Sequence, residues 1–109
     1  MIKSNKPGQK ERGNKPMIHL IDTDTIIGMA EVLTLGAKKY EANTWQNVED
    51  PINTHYDALM RHLLAWKNGE INDKESGLSH IKHVLTNAMF LLHHENTILT
   101  KKDNEVKQK

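Results

Sequence analysis

Apolar residues in this chain recur at three- and four-residue spacing in three separate segments, and nowhere do they alternate long enough to make a convincing strand. That restricts the fold to helices packed on helices. The first segment runs from about Asp24, a candidate N-cap, to Tyr40. Ile26, Met29, Ala30, Leu33, Ala37 and Tyr40 form one stripe, and Ile27, Val32 and Leu35 widen it nearly all the way round, which predicts a substantially buried helix. The second runs from about Thr54 to Asn68 and stops at Gly69, with Tyr56, Leu59, Met60, Leu63, Leu64 and Trp66 predicted to face the core. The third begins after Gly77 and reaches about Leu99. The only candidate for extended structure is MIHLID, residues 17–22. The predicted class is therefore all-α: about three main helices with an extended N-terminal arm.

Composition sets the boundaries. Residues 1–16 carry Lys3, Lys6, Lys10, Arg12 and Lys15 against Glu11, and residues 100–109 are similarly polar, so both read as tails around a helical unit at 17–99. A unit this small buries only about 60% of its unfolded surface, so a homo-oligomer is expected. The chain has no cysteine, which removes disulfides and thiolate metal sites and fits a reducing cytoplasm. No apolar run approaches the ~18 residues of a membrane span. A net charge of +1 gives no signature of specific nucleic-acid binding. Seven histidines among 109 residues are the anomaly.

Four polar residues of the third segment, His80, His83, Asn87 and His94, fall within a sector of about 60° on a helical wheel. This stripe borders the apolar face, where the wall of a cleft would lie. His80 and His83, with Glu75, Asp73 and His62, make a set of imidazoles and carboxylates that suits Mn, Co, Ni or Zn better than Mg. Glu31 is the second candidate, because a carboxylate on a mostly apolar helix needs a partner or a metal; Lys38 is the alternative that would satisfy it. Arg61 can clamp a phosphate or pair with Asp57 one turn away. Lys38 and Lys39 can neutralise a helix C-terminus. Trp45, in a polar loop, can pack or stack on a base. P-loop, GxGxxG, GxSxG, HExxH and His-Asp motifs are all absent.

Taken together, GNKPMIHL, AEVLTLGAKKYEANTW, ALMRHLLAWKNGEINDKESGLSHIKH and NAMFLL resemble the phage and prophage dATP/dGTP diphosphohydrolase-like family, in the neighbourhood of the all-α MazG-like NTP pyrophosphatases. The likeness covers about residues 14–95. It implies a helical, oligomeric protein that splits a nucleoside triphosphate into monophosphate and pyrophosphate with a divalent metal, Mg, Mn or Co, in the cytoplasm of a phage's host. On that reading Glu31 and Glu75 are catalytic and, with His80 and His83, hold metal. Lys39, Tyr40, Trp45, Arg61, His62 and Asn87 bind the substrate. The chain offers few carboxylates and many donors, which leaves a second expectation open: a phage protein that sequesters a nucleotide signal without hydrolysing it. A third is a structural module whose histidine stripe is an oligomer seam.

Overall fold

A computed structural model describes the backbone of residues 13–107 and the side chains of residues 13–98. The basic arm expected at 1–16 lies mostly outside that range. Three α-helices make up the fold: α1 (Thr23–Lys39), α2 (Pro51–Lys67) and α3 (His80–Lys107). Short 3-10 turns occupy Ile18–Leu20 and Thr44–Asn47. The all-α class holds, but MIHLID is not extended: its centre coils into the first 3-10 turn.

Each boundary has a local cause. α1 starts at Thr23 because Asp22, rather than Asp24, is the cap: its carboxylate accepts from the Thr25 N–H at 3.2 Å and the Thr25 hydroxyl at 3.1 Å. α2 starts at Pro51, whose fixed φ and missing N–H suit a first helical position. It ends at Lys67, and Gly69 follows at φ +102°, backbone that only glycine adopts easily. α3 continues past Leu99 to Lys107.

α2 and α3 form the main packed pair, and α1 crosses α3. The crossing is close because Gly28 is buried there: a Cβ on it would meet the Lys82 methylenes at 3.2–3.3 Å. The Lys82 stem slides past Gly28, and its ammonium reaches Glu31 at 2.8 Å.

The interior differs from the predicted one. Among the described residues no apolar side chain is buried; the enclosed polar side chains are His55, His80, Thr86, Asn87 and His94. Leu59, Met60 and Leu63 are half-buried, whereas Tyr56, Leu64 and Trp66 are exposed. α1 is not enveloped either, since Ile26, Ile27 and Leu35 lie open. The histidine stripe on α3 is thus the inward face of the helix and not the border of one. Packing on α2 decides which face turns inward, and α2 presents His55 and His62 to it.

Candidate metal centre

The turn between α2 and α3 builds the site. Residues 70–80 fold back on themselves: Asn72 and Ser79 make an isolated antiparallel bridge, the Asp73 N–H donates to the Leu78 carbonyl at 2.8 Å, and the His80 N–H donates to the Ile71 carbonyl at 2.9 Å. Gly77, at φ +75°, allows the chain to reverse, and its N–H donates to the Asp73 carbonyl at 2.7 Å. The Asp73 carboxylate accepts the Ser76 N–H at 2.9 Å, a local turn typical of aspartate. This hairpin fixes Asp73 against the first turn of α3 and the last third of α2.

There His62, Asp73 and His80 each turn one ligand-type atom into a common space, the three atoms lying within 4.8 Å of one another. The two imidazoles meet through Nδ1 atoms 2.8 Å apart. On the far side of the His80 ring, Nε2–H donates to the Glu70 carboxylate at 3.0 Å. With His80 neutral, that bond leaves the His80 Nδ1 lone pair facing inward, and His62 Nδ1–H supplies the proton between the rings. His62 would have to move that proton to Nε2 for both rings to offer lone pairs to a cation. A carboxylate behind a histidine is the usual partner of a metal-bound imidazole, fixing its tautomer and orientation.

His83 flanks this group without joining it. Its ring stacks on His62 at 4.2 Å and 5°, and its Nε2 lies 2.7 Å from the Ser76 hydroxyl and 3.8 Å from the Asp73 carboxylate. Burial pushes His62 and His83 below the ordinary histidine value, with the neighbouring Asp73 opposing it in each case. Burial alone would raise Asp73, but its hydrogen bonds from Ser76 and the nearby His62 and His83 outweigh this and hold its carboxyl below the usual range. The result is neutral imidazole beside ionised carboxylate at neutral pH, the protonation that metal ligation requires. Two nitrogens and one carboxylate from the protein, with positions left open, make a chemically sound donor set for a divalent transition metal.

The remaining sequence candidates are not among the three ligand residues. Glu31 pairs with Lys82, and Glu75, which is 78% exposed, pairs with Lys39 at 2.7 Å. The Lys39–Glu75 contact raises the Lys39 pKa. Arg61 is exposed on α2 next to His62. Asn87 is buried one turn beyond His83, and its amide donates to the His83 carbonyl at 2.9 Å. Trp45 packs face to face on Phe90 at 4.4 Å and edge-on to His93 at 4.9 Å. Its backbone carbonyl lies 3.2 Å from His55 Nε2 and 3.4 Å from His94 Nε2. Tyr40 and Trp45 both line a cavity between α1 and the 41–48 segment. Sequence reasoning passed over Glu70, whose link to His80 depends on closure of the hairpin and leaves no periodic trace.

The sequence profile described as "dATP/dGTP diphosphohydrolase, N-terminal" matches residues 5–105, nearly the whole chain. The chain belongs to this family. A relative named dATP/dGTP diphosphohydrolase, from Salmonella phage PMBT28, is 33% identical over 81 residues, covering 74% of this chain and 27% of that protein. The chain therefore spans about a quarter of the length of the relative it matches. No solved structure matches it. In this member of the diphosphohydrolase N-terminal family, the match takes in all of the hairpin and all three residues of the ligand group. No helix among the described residues is long and apolar enough to cross a membrane.

Proposed function

We propose that the chain is a metal-dependent hydrolase of purine deoxynucleoside triphosphates, of phage origin, acting at the His62–Asp73–His80 group. The observation that carries this is the convergence of those three ligand atoms, with Glu70 behind His80, in a member of a family named for nucleotide diphosphohydrolysis. The reaction is hydrolytic: water adds to the α-phosphorus, the bridging bond to the β-phosphate breaks, and pyrophosphate leaves. A divalent cation held by the three ligands would neutralise phosphate charge and acidify water. Asp73 is kept anionic by Ser76, His80 is oriented by Glu70, and His83 holds the His62 ring flat against its own. Arg61, exposed beside His62, would meet phosphate oxygens as they gain charge. Lys39 serves the same end only by leaving Glu75.

The test is incubation of the purified chain with dATP and dGTP plus Mn²⁺, Co²⁺ or Mg²⁺, with chromatography of the products. Monophosphate and pyrophosphate, formed by the unaltered chain and lost in Asp73→Asn and His62→Ala, are expected. Inactivation by Glu31→Gln with Asp73→Asn unaffected would overturn the assignment. One observation favours a second reading, binding without turnover: the ligand group contains a single carboxylate. Nucleotide held by the folded chain and released intact on denaturation would select it.

A further inference from the structure

A cavity of about 500 Å³ opens between α1, the 41–48 segment and the inner faces of α2 and α3. Its volume is that of a small-molecule site. On the α1 side Gly36 and Ala37 supply almost no bulk; a Cβ built on Gly36 would meet no atom within 4 Å. His55, Trp45 and Phe90 close the opposite side. Trp45 already has Phe90 on its face, whereas the Tyr40 ring at the mouth is 65% exposed, with the Lys39 ammonium 5.2 Å from its centre on one side only. Asn43 stands at the rim in the left-handed region, φ +66°. Its backbone carbonyl accepts from the Gln46 N–H at 3.1 Å, but its side-chain amide makes no hydrogen bond among the described residues. An unengaged amide presents one acceptor and two donors in a plane, the pattern that reads the edge of a purine.

The cavity and the ligand group share α2. His55, in the cavity wall, and His62, in the ligand group, lie two turns apart on one helix, about 10 Å along its axis. That offset suits a ligand whose flat end and anionic end are separated by a sugar.

Building on the hydrolase reading, we propose that this cavity is the base-binding pocket: it takes a nucleobase, with Tyr40 stacking on the ring and Asn43 reading its edge. Gly36 and Ala37 set the width of the slot. The triphosphate then extends along α2 toward Arg61 and the His62–Asp73–His80 group.

The experiment is equilibrium dialysis of dATP, dCTP, deoxyadenosine and inorganic tripolyphosphate against the full chain with Mn²⁺, and against three variants. Ala37→Trp and Gly36→Leu fill the slot from two neighbouring positions, and Asn43→Ala removes the edge reader. Both filled variants are expected to weaken dATP and deoxyadenosine by about tenfold or more while tripolyphosphate binding stays unchanged. Asn43→Ala is expected to narrow the difference between dATP and dCTP. Unchanged dATP affinity in both filled variants, or an equal loss for tripolyphosphate, would overturn the pocket. So would a change in sedimentation mass with nucleotide affinity intact, which would assign the cavity to contact between chains. Deoxyadenosine keeps this test separate from the hydrolase reading. If the unaltered chain hydrolyses no nucleotide, that reading falls, and deoxyadenosine retention lost in the filled variants still decides for the pocket.

Discussion

Glu70 shows how much a single unperiodic residue can decide. Its carboxylate takes the outer N–H of His80 and so sets which nitrogen of that ring faces inward. Glu70→Gln is expected to lower Mn²⁺ or Zn²⁺ affinity about 10- to 100-fold by calorimetric titration, less than the loss from His80→Ala. Glu31→Gln and Glu75→Gln are expected to leave metal affinity unchanged, because each carboxylate sits in a partly exposed lysine pair and neither is among the three ligand residues. His80 was legible from the sequence because His80, His83 and Asn87, three and seven apart on one helix, share a face; His62 lies on another helix, and only the fold sets it against them. A carboxylate on a buried helix would demand a partner, but α1 is not buried, and Lys82 pairs with Glu31 at its partly exposed edge. Asp73 was visible as one of several carboxylates near the turn. Its selection over Glu75 comes from the Ser76 N–H and the backbone ladder of the hairpin, which no spacing rule encodes.

At the scale of elements, the three helices could be read from apolar spacing and glycines, but not the cap at Asp22, the start at Pro51 or the run of α3 to Lys107. The α2–α3 hairpin could not, because its order rests on backbone hydrogen bonds between residues with no common pattern. Two glycines make opposite predictions here. Gly36 lies within α1 with open space around it, so Gly36→Ala is expected to stabilise the chain by about 1 kcal/mol in urea denaturation through helix propensity alone. Gly77 holds the hairpin's reversal at φ +75°, so Gly77→Ala is expected to destabilise by about 1 kcal/mol. It should also weaken metal binding, since the same turn carries Asp73. A Gly77→Ala variant that binds metal as tightly as the unaltered chain would separate the hairpin from the site.

For the molecule as a whole, residue spacing does not reveal that imidazole rather than leucine lines the interior, because helical periodicity reports which residues share a face and not which face turns in. His55 and His94 stack at 5.4 Å inside, and Trp45 hangs from both through its carbonyl. Burial, with the neighbouring His94 adding to it and the Trp45 and Asn87 hydrogen bonds opposing, sets His55 below the ordinary value near 6.5. The unfolded chain therefore takes up this proton first as pH falls. The contribution is complete above that ordinary value and is lost on acidification below it. The melting temperature is expected to drop between about pH 7 and pH 5, and His55→Gln to flatten the drop. Tyr56, Leu64, Trp66 and Leu92 lie open on the outside, so sedimentation is expected to give a multiple of the 12.5 kDa chain mass. The same inversion bears on calorimetry. Heat capacity and denaturant sensitivity scale with the apolar surface that unfolding uncovers. One chain half-buries some of its apolar side chains and encloses none of them fully among its described residues, so it uncovers less than a well-packed domain. An m-value typical of a well-packed domain of this length would therefore measure surface hidden between chains, and its fall on dilution would count how much of the core the protein borrows from its neighbours.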